Sequence, residues 1–357
     1  MEEYQLIEVS SFIRDIRSMC TVIKISDDYL VSGSQKGILA CWTISSGTEN
    51  WRIEFEGPCS EVCIEGNNLY LTEEGNIHLI DLNLGKIKWS KELEGLSDFI
   101  QVSGENIWVT SSIYDLHISN YSESTVWLFD KNGLKLEEWL VEGKPWFFGV
   151  TKYGVYLGLS RPKCGYAKIS IGKEVEYITL KNKNPITTGF LQEDIIFLGH
   201  SDGKISELNN NSVREIEVGD RAVNTLEYDE KIIVGLESGE IYSENGWKNK
   251  IRNNIDKIMK GPPIDDLKTI WLSSWENSTT IYALDIMLGE VKYEINHVSR
   301  IREMVSFDNF IALGDSEGKI FLIENVVFNR RIKSKSEVTK NDQKRVLLKD
   351  RLRRLRE

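Results

Sequence analysis

The chain has 357 residues, 41% of them hydrophobic and 10% aromatic, enough to bury a large core and too many for a disordered segment. No apolar run approaches the roughly 20 residues a membrane-spanning helix needs, and the acidic start "MEEYQLIEVSSF" has neither the basic region nor the apolar run of a secretion signal, so a cytoplasmic location is expected. Charge is uneven: the whole chain carries −11, residues 330–357 hold 12 Lys+Arg against 4 Asp+Glu, and residues 1–329 hold 32 against 51, an asymmetry that bears on partners rather than on fold.

Read from the N-terminus, "YQLIEVSSF" is an alternating run without a unit of its own. Four short strands follow: "CTVIKIS", "YLVSGS", "ILACWTI" and "NWRIEFE". This pattern recurs. Polar turns ending in glycine stand between an apolar strand and an alternating one at Gly37, Gly75, Gly203, Gly239 and Gly318, which is a hairpin signal. Glycine suits such turns because positive φ costs other residues a Cβ clash.

The first and last of these glycines are 281 residues apart, which fits seven intervals of about 40. Two irregular units fill the first gap, at residues 106–130 and 154–171, and one more fills the second, at 269–286. The spacing therefore predicts an all-β, eight-bladed β-propeller of four-stranded antiparallel blades, with seven blades as the alternative count. The last unit shows three strands, and the N-terminal run is the expected fourth, closing the ring. The expected domains are a propeller over residues 1–330 and a basic helical tail over 331–357.

A second motif repeats as Asp81, Gly85 and Trp89 in "LIDLNLGKIKW" and as Asp285, Gly289 and Tyr293 in "ALDIMLGEVKY". Each set ends a third strand, turns, and enters a fourth. The aspartate is expected to accept backbone N–H groups of the turn, the glycine to supply its geometry, and the aromatic to cover the next blade. Looser versions occur at Gly47 with Trp51, and at Asp130, Gly133 and Trp139.

These motifs resemble the docking repeat of quinoprotein-type (PQQ-like) β-propellers, whose consensus runs Ala-x-Asp, two residues, Thr-Gly, three residues, Trp. The glycine hairpins also resemble those of WD-repeat propellers, although no Trp-Asp dipeptide ends a strand here. The resemblance covers about residues 4–330 and implies eight blades. Dehydrogenases of the quinoprotein group bind PQQ with calcium, are exported and carry adjacent cysteines. Non-catalytic scaffolds of the same repeat keep the docking motif without the cofactor site. This chain is similar to the second kind, so no cofactor, no metal and no small-molecule substrate are expected.

Side chains suited to catalysis are sparse. Four histidines (His78, His117, His200 and His297) show no metal-ligand spacing, and no P-loop, GxSxG or GxGxxG occurs. The five cysteines (Cys20, Cys41, Cys59, Cys63 and Cys164) form no CxxC pair and read as free thiols in a reducing compartment. Trp146, Phe147 and Phe148 open the fourth unit, where blade packing is favoured over a place at the channel mouth.

Partner-binding candidates are of two kinds. Irregular loops place Tyr114, His117, Tyr121, Arg161 and Trp275 in connections between the same pair of strands, hence on one side of the ring; ordinary loop variation is the competing reading. The tail places Leu348, Leu352 and Leu355 at helical spacing, with Arg345, Lys349, Arg351, Arg353, Arg354 and Arg356 around them. Such a basic amphipathic helix suits a protein groove or RNA or DNA phosphate. Without aromatics it suits a membrane poorly, and docking on the acidic body is its competing role. The expected function is a non-enzymatic scaffold for protein partners. The alternatives are a cofactor-binding enzyme that uses the channel and an adaptor on anionic membranes.

Overall fold

The computed structural model describes residues 3–117, 119–209, 212–264 and 266–334. Strands dominate because the alternating runs cannot bury one face alone. Eight antiparallel sheets surround a central channel. Blade 1 consists of Cys20–Ser26, Tyr29–Ser34, Ile38–Thr43 and Glu49–Glu54. Blades 2 to 7 repeat that order, their first strands beginning at Cys59, Leu96, Pro145, Ile186, Val223 and Ile255. Blade 8 has Ile301–Phe307, Phe310–Asp315 and Lys319–Glu324 from the C-terminal side. Its fourth strand comes from the N-terminus, and the ring closes as expected.

The closing strand is Phe12–Asp15, which pairs antiparallel with Lys319–Glu324. The run read as that strand is itself divided. Glu3–Gln5 adds a fifth, parallel strand to the outer edge of blade 7, and Leu6–Val9 forms one helical turn. Leu6 and Val9 are buried, which explains the break: their side chains turn into a core shared with blade 7. A second helix occupies residues 325–334, so helix starts directly after the last strand and ahead of residue 331. Phe328 and Ile332, four apart on that helix, enter the same core. The tail candidates Arg345, Lys349, Arg351, Leu352, Arg353, Arg354, Leu355 and Arg356 lie outside the described residues.

The docking motif builds as its residues require. The Asp81 carboxylate accepts the N–H groups of Asn83 and Leu84, both at 3.1 Å. Asp285 accepts those of Met287 and Leu288, at 2.8 and 3.2 Å. Each aromatic then reaches across to the glycine turn of the following blade. The Trp89 indole donates to the Lys131 carbonyl at 3.2 Å and covers Gly133. Trp51 donates to the Leu82 carbonyl at 2.6 Å and covers Gly85. Trp139 donates to the Lys173 carbonyl at 2.8 Å. Trp247, which the motif search passed over, donates to the Ile286 carbonyl at 3.0 Å and covers Gly289. Tyr293 instead packs edge-on against Phe328, at 5.7 Å between ring centres.

Four of the five hairpin glycines have positive φ; at the fifth hairpin Glu74 adopts it (φ 45°) in place of Gly75. These turns pack on the connections between blades. A Cβ on Gly37 would lie 2.3 Å from the Phe55 carbonyl, and one on Gly239 would lie 2.6 Å from the Asn253 carbonyl. The turns between second and third strands therefore share one face with the inter-blade connections, here called the front. The opposite face is the rear.

Buried histidines brace the blades. His200 is fully buried, its Nδ1 3.1 Å from the Asn184 carbonyl and its Nε2 2.8 Å from the Ser206 hydroxyl. The carbonyl requires a proton on Nδ1, and in the neutral ring that burial favours, Nε2 then accepts from Ser206. His78 lies between Ser90 and the buried Glu73. Burial pushes both imidazoles below their ordinary value of 6.5, against the raising effect of Asn184 and of Glu73. The unfolded chain thus binds more protons, and the stability due to neutral burial is complete above about pH 6.5 and lost as pH falls below it. Burial pushes Glu303 and Glu227 upward, which has the opposite sense and removes stability as pH rises above 4.5. The histidine part is read by difference. Urea midpoints should fall between pH 7 and pH 5, and His200→Gln should flatten that fall. Equal slopes in the two proteins would refute the assignment.

Candidate functional site

The first strands of the blades line the channel. All eight carry a register shift near the start, between Cys20 and Val22 in blade 1 and between Pro145 and Phe147 in blade 4, for example. An extra residue at such a bulge re-aims its neighbours. In blade 4 it divides the aromatic triplet. Phe147 is buried between blades, Phe148 lines the channel, and Trp146 stands half exposed at the front mouth. Blade packing, the favoured reading of the triplet, therefore holds for Phe147 and for Phe148, which packs against the core of blades 3 and 4 as it lines the channel, and not for Trp146.

Two connected cavities, of about 460 and 540 Å3, occupy the channel from its front mouth inward. Ion pairs between adjacent blades line them. Lys24 lies 3.2 Å from Glu61, Lys144 lies 2.5 Å from Asp98, and Lys257 lies 2.9 Å from Glu303. Lys24 keeps 42% of its side-chain surface accessible, but to the channel rather than to open solvent, and the Glu61 carboxylate holds its ammonium above the ordinary lysine range. Phe99 and Phe148 stack nearly parallel across blades 3 and 4, 6.1 Å between centres. Glu61 and Cys63 belong to the same wall.

The loop candidates gather on the front face, as their shared strand connection predicts. The irregular stretch of blade 3 is a hairpin between two long strands, Asn106–Asp115 and Asn120–Asp130. Tyr114 and Tyr121 meet edge-on across it at 5.2 Å. His117 is exposed near its tip, its backbone N–H held by Asp115 at 2.7 Å. Leu116, beside it, is 82% exposed. Lys144 ties this hairpin to the channel, lying 4.3 Å from the centre of the Tyr121 ring while paired with Asp98. Arg161 is exposed in the corresponding connection of blade 4. Trp275 is half-buried in that of blade 7, its N–H bonded to the Asn254 carbonyl, and is separated from the others by the ring. Trp146, Leu116 and Lys144 were not singled out as binding residues, and no local pattern marks them.

Among the described residues no group of three or more His, Cys, Asp and Glu side chains is placed to hold a metal ion. The five cysteines are free. Burial pushes the thiols of Cys20, Cys41 and Cys59 up to about 12, which makes them poor nucleophiles. Asp266 occupies a turn with positive φ, and Asp265 lies outside the described residues.

The family described as outer membrane protein assembly factor BamB has a model that matches residues 10–132. No curated protein matches the chain. Among solved structures, the computationally designed Ika8 protein superposes with a TM-score of 0.72 at 14% identity, over 87% of this chain and 98% of that one. Saccharomyces cerevisiae Sqt1 gives 0.68 at 12% identity, over 88% and 98%. BamB from Moraxella catarrhalis gives 0.62 at 15% identity, over 87% and 97%. At these identities the likeness is one of fold, an eight-bladed β-propeller.

Proposed function

We propose that the protein is a cytoplasmic, non-enzymatic scaffold that holds a protein partner on the front face of blades 3 and 4. The observation that carries this reading is the presence on one face of three exposed large apolar groups, Tyr114, Leu116 and Trp146, with Tyr114 held edge-on by Tyr121 and Tyr121 held in turn by Lys144. Aromatic side chains on a rigid frame are the residue types that anchor interfaces. The match to a family described as an assembly factor supports the same reading. The locked His78, His200 and His297, each within hydrogen-bond distance of a neighbour, support a structural rather than catalytic use of those side chains.

A photo-crosslinking residue in place of Leu116 should give a discrete adduct in the source cell, and one in place of Leu84, exposed on the turn between third and fourth strands, should not. Tyr114→Ala with Leu116→Asp should reduce capture of that adduct's partner about tenfold, roughly 1.4 kcal/mol, without moving the melting temperature. An adduct from Leu84 alone would place the interface on the rear and end the proposal.

The tail is read as a second docking element. The excess of 12 basic over 4 acidic residues in 330–357 favours phosphate as a further contact. Removing residues 335–357 should then weaken binding to single-stranded RNA and flatten its salt dependence. Unchanged binding would leave the tail to a protein groove or to the acidic propeller itself.

A further inference from the structure

Scaffolding leaves the channel mouth without a role. The front cavity of about 460 Å3 falls within the roughly 300–1,000 Å3 that holds a small molecule. Its wall contains all three interblade ion pairs described above. Thr21 and Ser97 line it as well, with their hydroxyl oxygens buried in the wall. Trp146, 50% exposed, supplies an accessible indole at the rim.

Charge decides the class of ligand. Each ammonium on this wall already faces a carboxylate. An ionic ligand would be attracted by one member of a pair and repelled by the other at a similar distance. It would also lose hydration on entering. A neutral ligand avoids both costs. The pairs still have capacity to spare, because an ammonium has three donors and a carboxylate about four acceptor positions. Neighbouring hydroxyls on one molecule match this arrangement: one accepts from the ammonium while the next donates to the carboxylate, and the pair stays closed. The indole of Trp146 offers an apolar face to a ring whose flat side is made of C–H groups.

We propose that the front mouth of the channel binds a neutral saccharide of one or two rings, stacked on Trp146 and hydrogen-bonded to the Lys24–Glu61 and Lys144–Asp98 pairs. The inference does not depend on the protein-partner reading: the two share Trp146 and Lys144, but the test below uses the purified chain and sugar with no partner present.

The test titrates the full chain by calorimetry with neutral disaccharides (maltose, cellobiose and lactose), with glucuronic acid and glucosamine, and with a neutral Gly-Ser peptide. At least one neutral sugar should bind and shift an indole N–H resonance that Trp146→Ala removes. That variant should weaken binding about tenfold, and Asp98→Asn by several-fold, with melting temperature unchanged in the former because the ring is half exposed. The charged sugars should bind at least about tenfold more weakly than their neutral counterpart. The proposal is overturned if no neutral sugar binds, if Trp146→Ala leaves affinity intact, or if the peptide or a charged sugar binds as tightly.

Discussion

Replacement of Phe328 by alanine is expected to destabilise the folded chain by about 3–5 kcal/mol, the usual range for removing a buried aromatic. Phe328 is 1% exposed and meets Trp271 and Tyr293 edge-on, at 5.3 and 5.7 Å. It joins parts distant in the chain. Tyr4, Leu6 and Val9 arrive from the N-terminus, Trp271 and Ile295 from blade 7, and Ile323 from blade 8. Arg331 closes the same corner by donating to the carbonyls of Glu8, at 3.0 Å, and Ser10. The cavity left by the phenyl ring would therefore loosen both the helix and the added strand Glu3–Gln5. Urea midpoints measure the loss, and amide exchange at Tyr4 and Gln5 should accelerate with it. Val326→Ala is the control: Val326 is exposed on the same helix, and its loss should stay within about 0.5 kcal/mol. Equal effects from the two substitutions would show that the helix contributes nothing to closure.

Gly289→Ala should cost about 2–6 kcal/mol, the sum of two effects of about 1–3 kcal/mol each. Gly289 has φ +70°, a left-handed conformation that a Cβ disfavours. The added carbon would also lie 2.4 Å from the Trp247 ring, which rests on this turn from the neighbouring blade. The two contributions separate in a double-mutant cycle. In a Trp247→Ala background the clash disappears and only the backbone cost remains, so the cycle should show a coupling of about 1–3 kcal/mol. Additive substitutions would mean that the indole does not hold the turn.

Both residues bear on what could be read in advance. Gly289 belongs to a motif that was legible because its hydrogen bonds close within about ten residues: Asp285 holds Met287 and Leu288, and the turn leads straight into Val291–His297. Phe328 was unreadable because its partners arrive from blade 7 and from the opposite end of the chain. The N-terminal run shows the same limit. Its alternation promised a single strand, yet burying Leu6 and Val9 against blade 7 turned its middle into a helix and passed ring closure to Phe12–Asp15. The channel mouth shows another. A period of two cannot assign Trp146, Phe147 and Phe148 to faces, because the bulge at the start of the strand interrupts that period.

The amino-acid order thus determined the eightfold β-repeat, the hairpins and the turn-building aspartates and glycines, since each is satisfied by neighbours a few positions away. Tertiary structure alone decided which tryptophan rests on which turn, how the termini clasp, and which lysine meets which carboxylate along the channel wall. Those contacts join separate blades, and their geometry is set by the closing of the ring, which no single repeat contains.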